Sequence, residues 1–187
     1  MHAEMEAPPG RHEIRFGVEA DPSVGAVYPL DSLVVPDIHS DTLALSSVMI
    51  GVPHRSLAWE VSAGDTVWLD ATNHYSANDT LAVYFEAYGT RPGAHYTVRF
   101  AIRRIGQGLF SRLFGHHGDA VTLSQQVVGG ERPADGGIEP IPAAGLTETV
   151  VRRALDLGGL APGTYALEVS MSGGGKAVIR RRGLVVQ

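Results

Sequence analysis

The feature that most constrains the fold is a two-residue alternation of apolar and polar side chains, interrupted at short intervals by glycine and proline. It is clearest over residues 95–105, where Tyr96, Val98, Phe100 and Ile102 fall on one face. An alternation with period two buries one face of an extended strand, whereas an amphipathic helix needs a period of 3.6. The sequence therefore predicts short strands.

Similar segments recur along the chain and predict roughly eight or nine strands of an antiparallel β-sandwich with long loops, not a parallel α/β sheet. The first strand is expected from His12, with Ile14, Phe16 and Val18 on one face. Prolines make residues 19–41 more typical of a long loop, with at most a short edge piece at Leu33-Val34-Val35. The other predicted strands are 42–50, 66–72, 80–88, 95–105, 120–128, 147–157, 164–171 and 177–186.

Two further predictions concern these segments. Residues 80–88 and 95–105 are connected through Arg91-Pro92-Gly93, and they are predicted to pair as a hairpin. Residues 147–157 also fit a helical period, because Val150, Val151, Ala154 and Leu155 are apolar. The surrounding strands favour a strand there.

The domain prediction follows from length and local composition. Residues 1–11 mix charges with prolines and predict a flexible N-terminal arm, and residues 12–187 are predicted to form a single sandwich domain. Within that domain, residues 106–118 are expected to protrude as a loop. Residues 129–145 form a second loop, rich in glycine and proline.

Composition excludes several classes of function. The formal net charge of -5 argues against nonspecific binding to nucleic acid, which requires a concentrated positive field. The chain has no cysteine, so disulfides, thiolate metal sites and thiol nucleophiles are excluded. No apolar run reaches the roughly 20 residues of a membrane-spanning helix. Residues 1–30 lack a signal-peptide pattern, so a cytoplasmic location is expected unless a leader has been removed.

No motif for catalysis, cofactor binding or metal binding stands out, so we expect a protein that is not an enzyme and carries no cofactor. The eight histidines form no H-x-x-x-H pair, the serines lack the G-x-S-x-G elbow, and no G-K-[ST] follows a glycine-rich stretch. Asp70, His74 and Asp79 lie close in sequence, but their spacing does not match a calcium loop. A polar turn between strands is the favoured interpretation.

A family resemblance enters near the C-terminus. The segment from Leu160 to Tyr165, LAPGTY, followed by alternating Leu167, Val169 and Met171, resembles the turn into strand F of immunoglobulin and fibronectin type III domains. The resemblance implies that the Tyr165 hydroxyl bonds back to the preceding connection. Residues 81–89 (LAVYFEAYG) and the closing "LxPGxY" pattern are also similar to the β-rich tail of bacterial GWxTD-motif envelope proteins, which implies an exported protein in envelope assembly.

The strongest candidate for a functional site is the predicted loop 106–118. Glycines bracket a segment whose apolar residues fit one helical turn and would be displayed on a common side, next to a basic residue. The alternative is that this segment folds back to cap the sandwich. The predicted partner-binding residues are Leu109, Phe110, Arg112, Leu113 and Phe114.

The sequence therefore predicts a non-catalytic structural or accessory subunit. It is expected to bind partner proteins in a larger bacterial complex that is associated with the envelope or a membrane, in the periplasm, with contact to a membrane surface as a further option. The alternative is a β-module that binds carbohydrate or a small ligand through aromatic stacking. The candidate stacking residues are Trp59, Trp68, Tyr75, Tyr84 and Tyr88.

Overall fold

The computed structural model describes residues 7–21, 24–29, 32–35, 37, 42–62, 65–105, 121–129 and 148–187. All regular secondary structure within these ranges is β-strand, and the strands are numbered β1 to β15. The predicted all-β fold is therefore confirmed. In the same ranges no helix is long and apolar enough to cross a membrane. The chain divides into two compact units, Met1–His39 and Ser40–Gln187.

The first unit contains two strand pairs. β1 (Gly10–His12) pairs antiparallel with β4 (Leu33–Val35), and β2 (Arg15–Asp21) pairs antiparallel with β3 (Val24–Pro29). The predicted long loop over residues 19–41 is therefore wrong where β3 forms. Pro29 is tolerated because it ends β3 in a sheet of two strands, where a missing N–H interrupts no central ladder. The arm predicted for residues 1–11 and the single domain predicted for 12–187 stay predictions.

The second unit contains two larger sheets and a separate hairpin. The hairpin consists of β7 (Leu57–Ser62) and β8 (Asp65–Leu69). The first sheet, called the β10 sheet, contains β5 (Ala44–Leu45), β6 (Met49–Gly51), β10 (Thr80–Tyr88) and β13 (Glu148–Asp156). The second sheet, called the β14 sheet, has the order β12 (Val121–Val128), β11 (His95–Arg104), β14 (Gly163–Gly173), β15 (Lys176–Val186) and β9 (His74–Tyr75).

One hydrophobic core joins the two sheets. In β10 every second residue belongs to this core, from Leu81 to Ala87, and β11 and β14 contribute alternate residues in the same way. The rings of Phe85 in the β10 sheet and Phe100 in the β14 sheet meet with their centroids 6.2 Å apart. Arg180 adds a polar link, because its Nε donates to the Leu45 carbonyl at 3.0 Å. The two sheets thus face each other as the layers of a sandwich.

The predicted hairpin between 80–88 and 95–105 is wrong, although both strands form. β10 pairs with β13, β5 and β6, whereas β11 pairs with β12 and β14 in the opposite sheet. The alternation of apolar residues is satisfied equally when two strands lie side by side and when they face each other across a core. The connection through Arg91-Pro92-Gly93 passes from one layer to the other.

Two other predictions are confirmed, that residues 147–157 form a strand and that the Tyr165 hydroxyl bonds back to the preceding connection. Residues 148–156 form the strand β13, not a helix, and pair with β10 along their whole length. The glycines between β14 and β15 make a two-residue turn, in which Gly174 and Gly175 have φ of 57° and 77°. At the start of β14, Tyr165 is 2% exposed and its hydroxyl donates to the Ala161 carbonyl at 2.7 Å.

Of the hairpin β7–β8, the sequence predicted β8 but not β7. The position of the hairpin depends on Gly51 of β6. A Cβ added to Gly51 would lie 2.6 Å from the carbonyl carbon and oxygen of Trp68, so only glycine allows β6 and β8 to approach this closely. The Ile50 carbonyl accepts a hydrogen bond from Asp70 N at 2.9 Å beside this crossing.

The Tyr165 hydroxyl generates a prediction about stability. We expect Tyr165→Phe to lower the free energy of unfolding by about 1 kcal/mol, because the hydrogen bond to the Ala161 carbonyl is lost. The matched control is Tyr75→Phe. Tyr75 is also 2% exposed, but its hydroxyl has no hydrogen-bond partner among the described residues. Urea unfolding should therefore show a loss for Tyr165→Phe only, and the reverse order would contradict this account.

Candidate functional site

The predicted docking residues, Leu109 to Phe114, lie outside the described residues, as does the loop 129–145 apart from Gly129. The structure describes the strands on which loop 106–118 is mounted. β11 leads into it and β12 leads out, and these strands are antiparallel neighbours with Ile102 opposite Val121. The loop therefore connects two adjacent strands of the β14 sheet.

The last described residues before this loop form a well-supported base. Ile105 donates its backbone N–H to the Thr164 carbonyl at 2.8 Å, yet its side chain is 48% exposed. Arg104 donates to the Pro162 carbonyl at 2.8 Å and lies over the Tyr165 ring, 5.9 Å from its centroid. An exposed apolar side chain is thus held beside arginines at the end of β11.

Asp70 and Asp79 lie in two polar turns on either side of β9, the strand that contains His74. Asp70 Oδ1 accepts from the backbone and hydroxyl of Thr72 at 2.8 and 2.6 Å. Burial opposes ionisation of Asp70, but hydrogen bonds from Thr72 and Asn73 outweigh it and lower its pKa. Among the described residues no three His, Asp or Glu side chains gather as metal ligands would.

Asp79 is held more tightly than Asp70. It forms a two-pronged ion pair with Arg55 and accepts the Ser76 backbone N–H at 2.7 Å. The hydrogen bond from Arg55 lowers the pKa of Asp79 more than burial raises it. Nearby, burial raises the pKa of Tyr75, whose ring belongs to the core. These carboxylates stabilise turns between strands and are not free for substrate.

The five candidate stacking residues separate into two groups. Tyr75 and Tyr84 are 2% and 6% exposed, so neither offers an open ring face to a ligand. Trp59, Trp68 and Tyr88 are half-buried. Trp68 and Tyr84 come together, because β8 lies beside the outer surface of the β10 sheet.

The space between β8, β10 and β13 is a groove of about 280 Å³. Ala82 and Tyr84 alternate with core residues of β10 and so belong to the outer surface of the sheet. Opposite them on β13 are Ala154 and Arg152. Because Ala82 and Ala154 have small side chains, the outer surface of the sheet is open at this position. We call this space the β8–β10–β13 groove, lined principally by the side chains of Thr66, Trp68, Ala82, Tyr84, Arg152 and Ala154.

A network on β10 holds one wall of this groove in place. The Tyr84 hydroxyl donates to Glu86 Oε1 at 2.6 Å, and the Tyr88 hydroxyl donates to Glu86 Oε2. The Arg152 guanidinium lies over the Tyr84 ring, 5.3 Å from its centroid. On the opposite wall, the Trp68 ring meets the His54 ring with centroids 5.0 Å apart. Both aromatic rings are thus restrained before any ligand arrives.

The arginine on the outer surface of β13 is Arg152, which is half-buried and lies over the Tyr84 ring. Arg153 is opposite the core residue Val83, so its side chain belongs to the other face of β13. The sequence pointed to Trp68 and Tyr84 but not to Arg152, because a place in a predicted strand does not show which residues share a groove with Trp68.

The Arg55–Asp79 pair predicts a dependence of stability on pH. Since the pKa of Asp79 is lowered below its ordinary 3.8 by folding, the pair stabilises the native state above about pH 4. This contribution is lost as the pH falls through the native pKa. We expect Asp79→Asn to be less stable by about 1 kcal/mol at pH 7, and to approach the parent protein below pH 3.

The measurement is urea unfolding at several pH values between about 2 and 7. Asp156→Asn is the control, because Asp156 is exposed and accepts one backbone hydrogen bond, from Gly158 at 2.8 Å. A constant gap between Asp79→Asn and the parent over the whole range would contradict the assignment.

Comparison with known proteins does not assign a function to the loop base or to the groove. No protein-family model matches the chain, and no curated protein sequence matches it. The base of loop 106–118 and the β8–β10–β13 groove are therefore interpreted from their own chemistry.

Proposed function

We propose that the chain is a non-catalytic binding subunit with an immunoglobulin-like or fibronectin type III-like sandwich. It contacts partner proteins through loop 106–118 in a larger bacterial complex associated with the envelope or a membrane. The periplasmic or envelope location rests on the resemblance of residues 81–89 and 160–165 to the tail of GWxTD-motif proteins.

Three features of the second unit support the immunoglobulin-like part of this proposal. The connection from β13 to β14 passes between the sheets and carries the Tyr165 hydrogen bond. β5 and β6 pair with β10, whereas β9 pairs in parallel with β15. The short strands that precede β10 in the chain are therefore divided between the two sheets. β10 and β13 would then correspond to strands B and E, and β11, β14 and β15 to strands C, F and G.

The observation that supports the binding function is the exposure of the Ile105 side chain. Ile105 is an exposed apolar residue at the entry to a loop whose own apolar residues are Leu109, Phe110, Leu113 and Phe114. The base beneath it is rigid, since the Ile105 N–H and the Arg104 side chain are both bonded to the connection before β14. Apolar surface continuous with a rigid base is typical of protein interaction sites.

The test is co-purification from cells of the source organism with the tagged chain. We expect the double variant Leu109→Asp with Phe110→Asp to lose its partners, because two charges would have to be buried at the contact. Ile105→Asp is expected to weaken the same association by about tenfold or more, which corresponds to 1.4 kcal/mol.

The matched control is Ile179→Asp. Ile179 is 47% exposed, nearly the same as Ile105, but lies in β15, which is separated from β11 by β14. Circular dichroism checks that each variant keeps its β structure. Retention of all partners by the double variant, or equal loss with Ile179→Asp, would eliminate loop 106–118 as the docking site.

A second function, binding of a carbohydrate or small ligand, is favoured by the β8–β10–β13 groove. Its volume lies near the lower limit of small-molecule sites, about 300 Å³, and it combines the half-buried Trp68 ring with the Arg152 guanidinium. We expect any ligand of this groove to shift the Trp68 indole signal in a ¹H–¹⁵N NMR titration. A ligand that shifts only residues outside β8, β10 and β13 would exclude the groove.

A further inference from the structure

We propose that two copies of this chain associate through the outer edge of β12, by antiparallel pairing of β12 with β12 of the second copy. This pairing joins the two β14 sheets into one continuous sheet, with the copies related by a twofold axis. The inference goes beyond both functions proposed above and depends on neither, because it uses neither loop 106–118 nor the β8–β10–β13 groove.

β12 differs from the other edge strands of the sandwich. In the part of the chain that the structure describes, the two sheets end on β12, β9, β13 and the pair β5 and β6. β5, β6 and β9 are only two or three residues long. β13 is longer, but it carries charges at Glu148, Arg152, Arg153 and Asp156. Short length and charge are the usual means by which proteins keep a sheet edge from pairing with another chain.

β12 has neither of these protections. It is 8 residues long, with the sequence VTLSQQVV, and contains no charged residue and no proline. Its register with β11 is free of bulges, from His95 opposite Val128 to Ile102 opposite Val121. Among the described strands only β11 pairs with it. β12 is therefore a regular strand whose outer edge can accept a further strand.

The backbone groups that point out of this edge belong to alternate residues. Gly129, directly after β12, donates its N–H to the Ala94 carbonyl at 2.7 Å and accepts the Gly93 N–H at 2.9 Å, so it faces β11. Successive residues of a strand direct their N–H and C=O groups to opposite sides. The residues of β12 that direct theirs away from β11 are Thr122, Ser124, Gln126 and Val128. Paired with a second β12, these residues form about eight backbone hydrogen bonds.

The side chains of β12 select a second copy as the occupant of the edge. When Gln125 lies opposite Gln125 of the second copy, Leu123 lies opposite Val127 and Ser124 lies opposite Gln126. Leu123 and Val127 pack against the core, so apolar residues meet on the inner face and polar residues on the outer face. No like charges are brought together. A register moved by two residues would instead put Gln125 opposite Leu123 or Val127.

Gln125 provides a specific contact at the centre of this register. It lies opposite Val98 of the core, so its side chain is on the inner face of β12 with Leu123 and Val127. Its Oε1 is buried and has no hydrogen-bond partner among the described residues. A rotation of the side chain toward the twofold axis lets the amide of each Gln125 donate to Oε1 of the other. This contact satisfies an acceptor that is costly to bury unpaired.

The test combines sedimentation of the full chain over a series of concentrations with hydrogen exchange followed by ¹H–¹⁵N NMR. We expect a reversible equilibrium between the monomer and a species of twice its mass. The N–H groups of Thr122, Ser124 and Gln126 should exchange more slowly as the concentration rises, because pairing covers them. The N–H groups of Leu123 and Gln125 face β11 and should exchange at rates that depend much less on concentration.

Charges placed on the outer face of β12 test the register. Ser124 and Gln126 are exposed, so replacing them should leave the core intact. Ser124→Lys with Gln126→Lys puts like charges opposite each other across the axis and should weaken dimerisation by about tenfold or more. Ser124→Lys with Gln126→Glu puts opposite charges there and should retain the dimer. The matched control is Ser172→Lys with Ile179→Lys, which adds two lysines at exposed positions of β14 and β15.

A chain that stays monomeric up to about 1 mM would overturn the inference, as would a dimer that the two lysines in β12 leave unchanged. Protection of the β12 amides that is independent of concentration would also overturn it, because the edge would then be covered by its own chain. Protection that arises only on addition of a co-purified protein would overturn the second copy as the occupant. Loop 106–118 and the β8–β10–β13 groove are decided by their own tests.

Discussion

The structure of the second unit depends on the contact between two alternating apolar faces. β10 and β13 present one face, β11 and β14 the other, and the rings of Phe85 and Phe100 meet between them. Because burial of these side chains is the main favourable term in folding, each strand is oriented with its polar positions outward. The outward positions of β10, from Ala82 to Tyr88, therefore contact β8 and Arg152 instead of the core.

The two candidate sites use the frame differently. The base of loop 106–118 lies where β11 ends, and it is anchored through Ile105 and Arg104 to the connection that leads into β14. The β8–β10–β13 groove lies on a sheet surface, and it exists because the hairpin β7–β8 is drawn against β6 at Gly51. We propose an apolar protein surface as the partner of the first site and a small ligand for the second. A binding subunit can carry both, since they are formed by different strands.

Sequence reasoning was most accurate where the information is local. It predicted β10, β11, β13, β14 and β15, resolved 147–157 as a strand, and expected the Tyr165 hydrogen bond. It was wrong about the pairing of β10 with β11 and about the loop over 19–41, where β3 forms. The groove was missed, because Trp68, Tyr84 and Arg152 are far apart in sequence, and nothing in their spacing shows that β8 lies beside β10 and β13.

The sequence by itself determined the all-β character of this protein, the face of each main strand that enters the core, and the turn at Tyr165. These properties follow from side-chain alternation and from Gly and Pro chemistry within a few residues. Only the tertiary structure decided which strands share a sheet and which outward residues meet. An apolar face is buried equally well beside a neighbour or across a core, so this choice depends on long-range packing that periodicity does not encode.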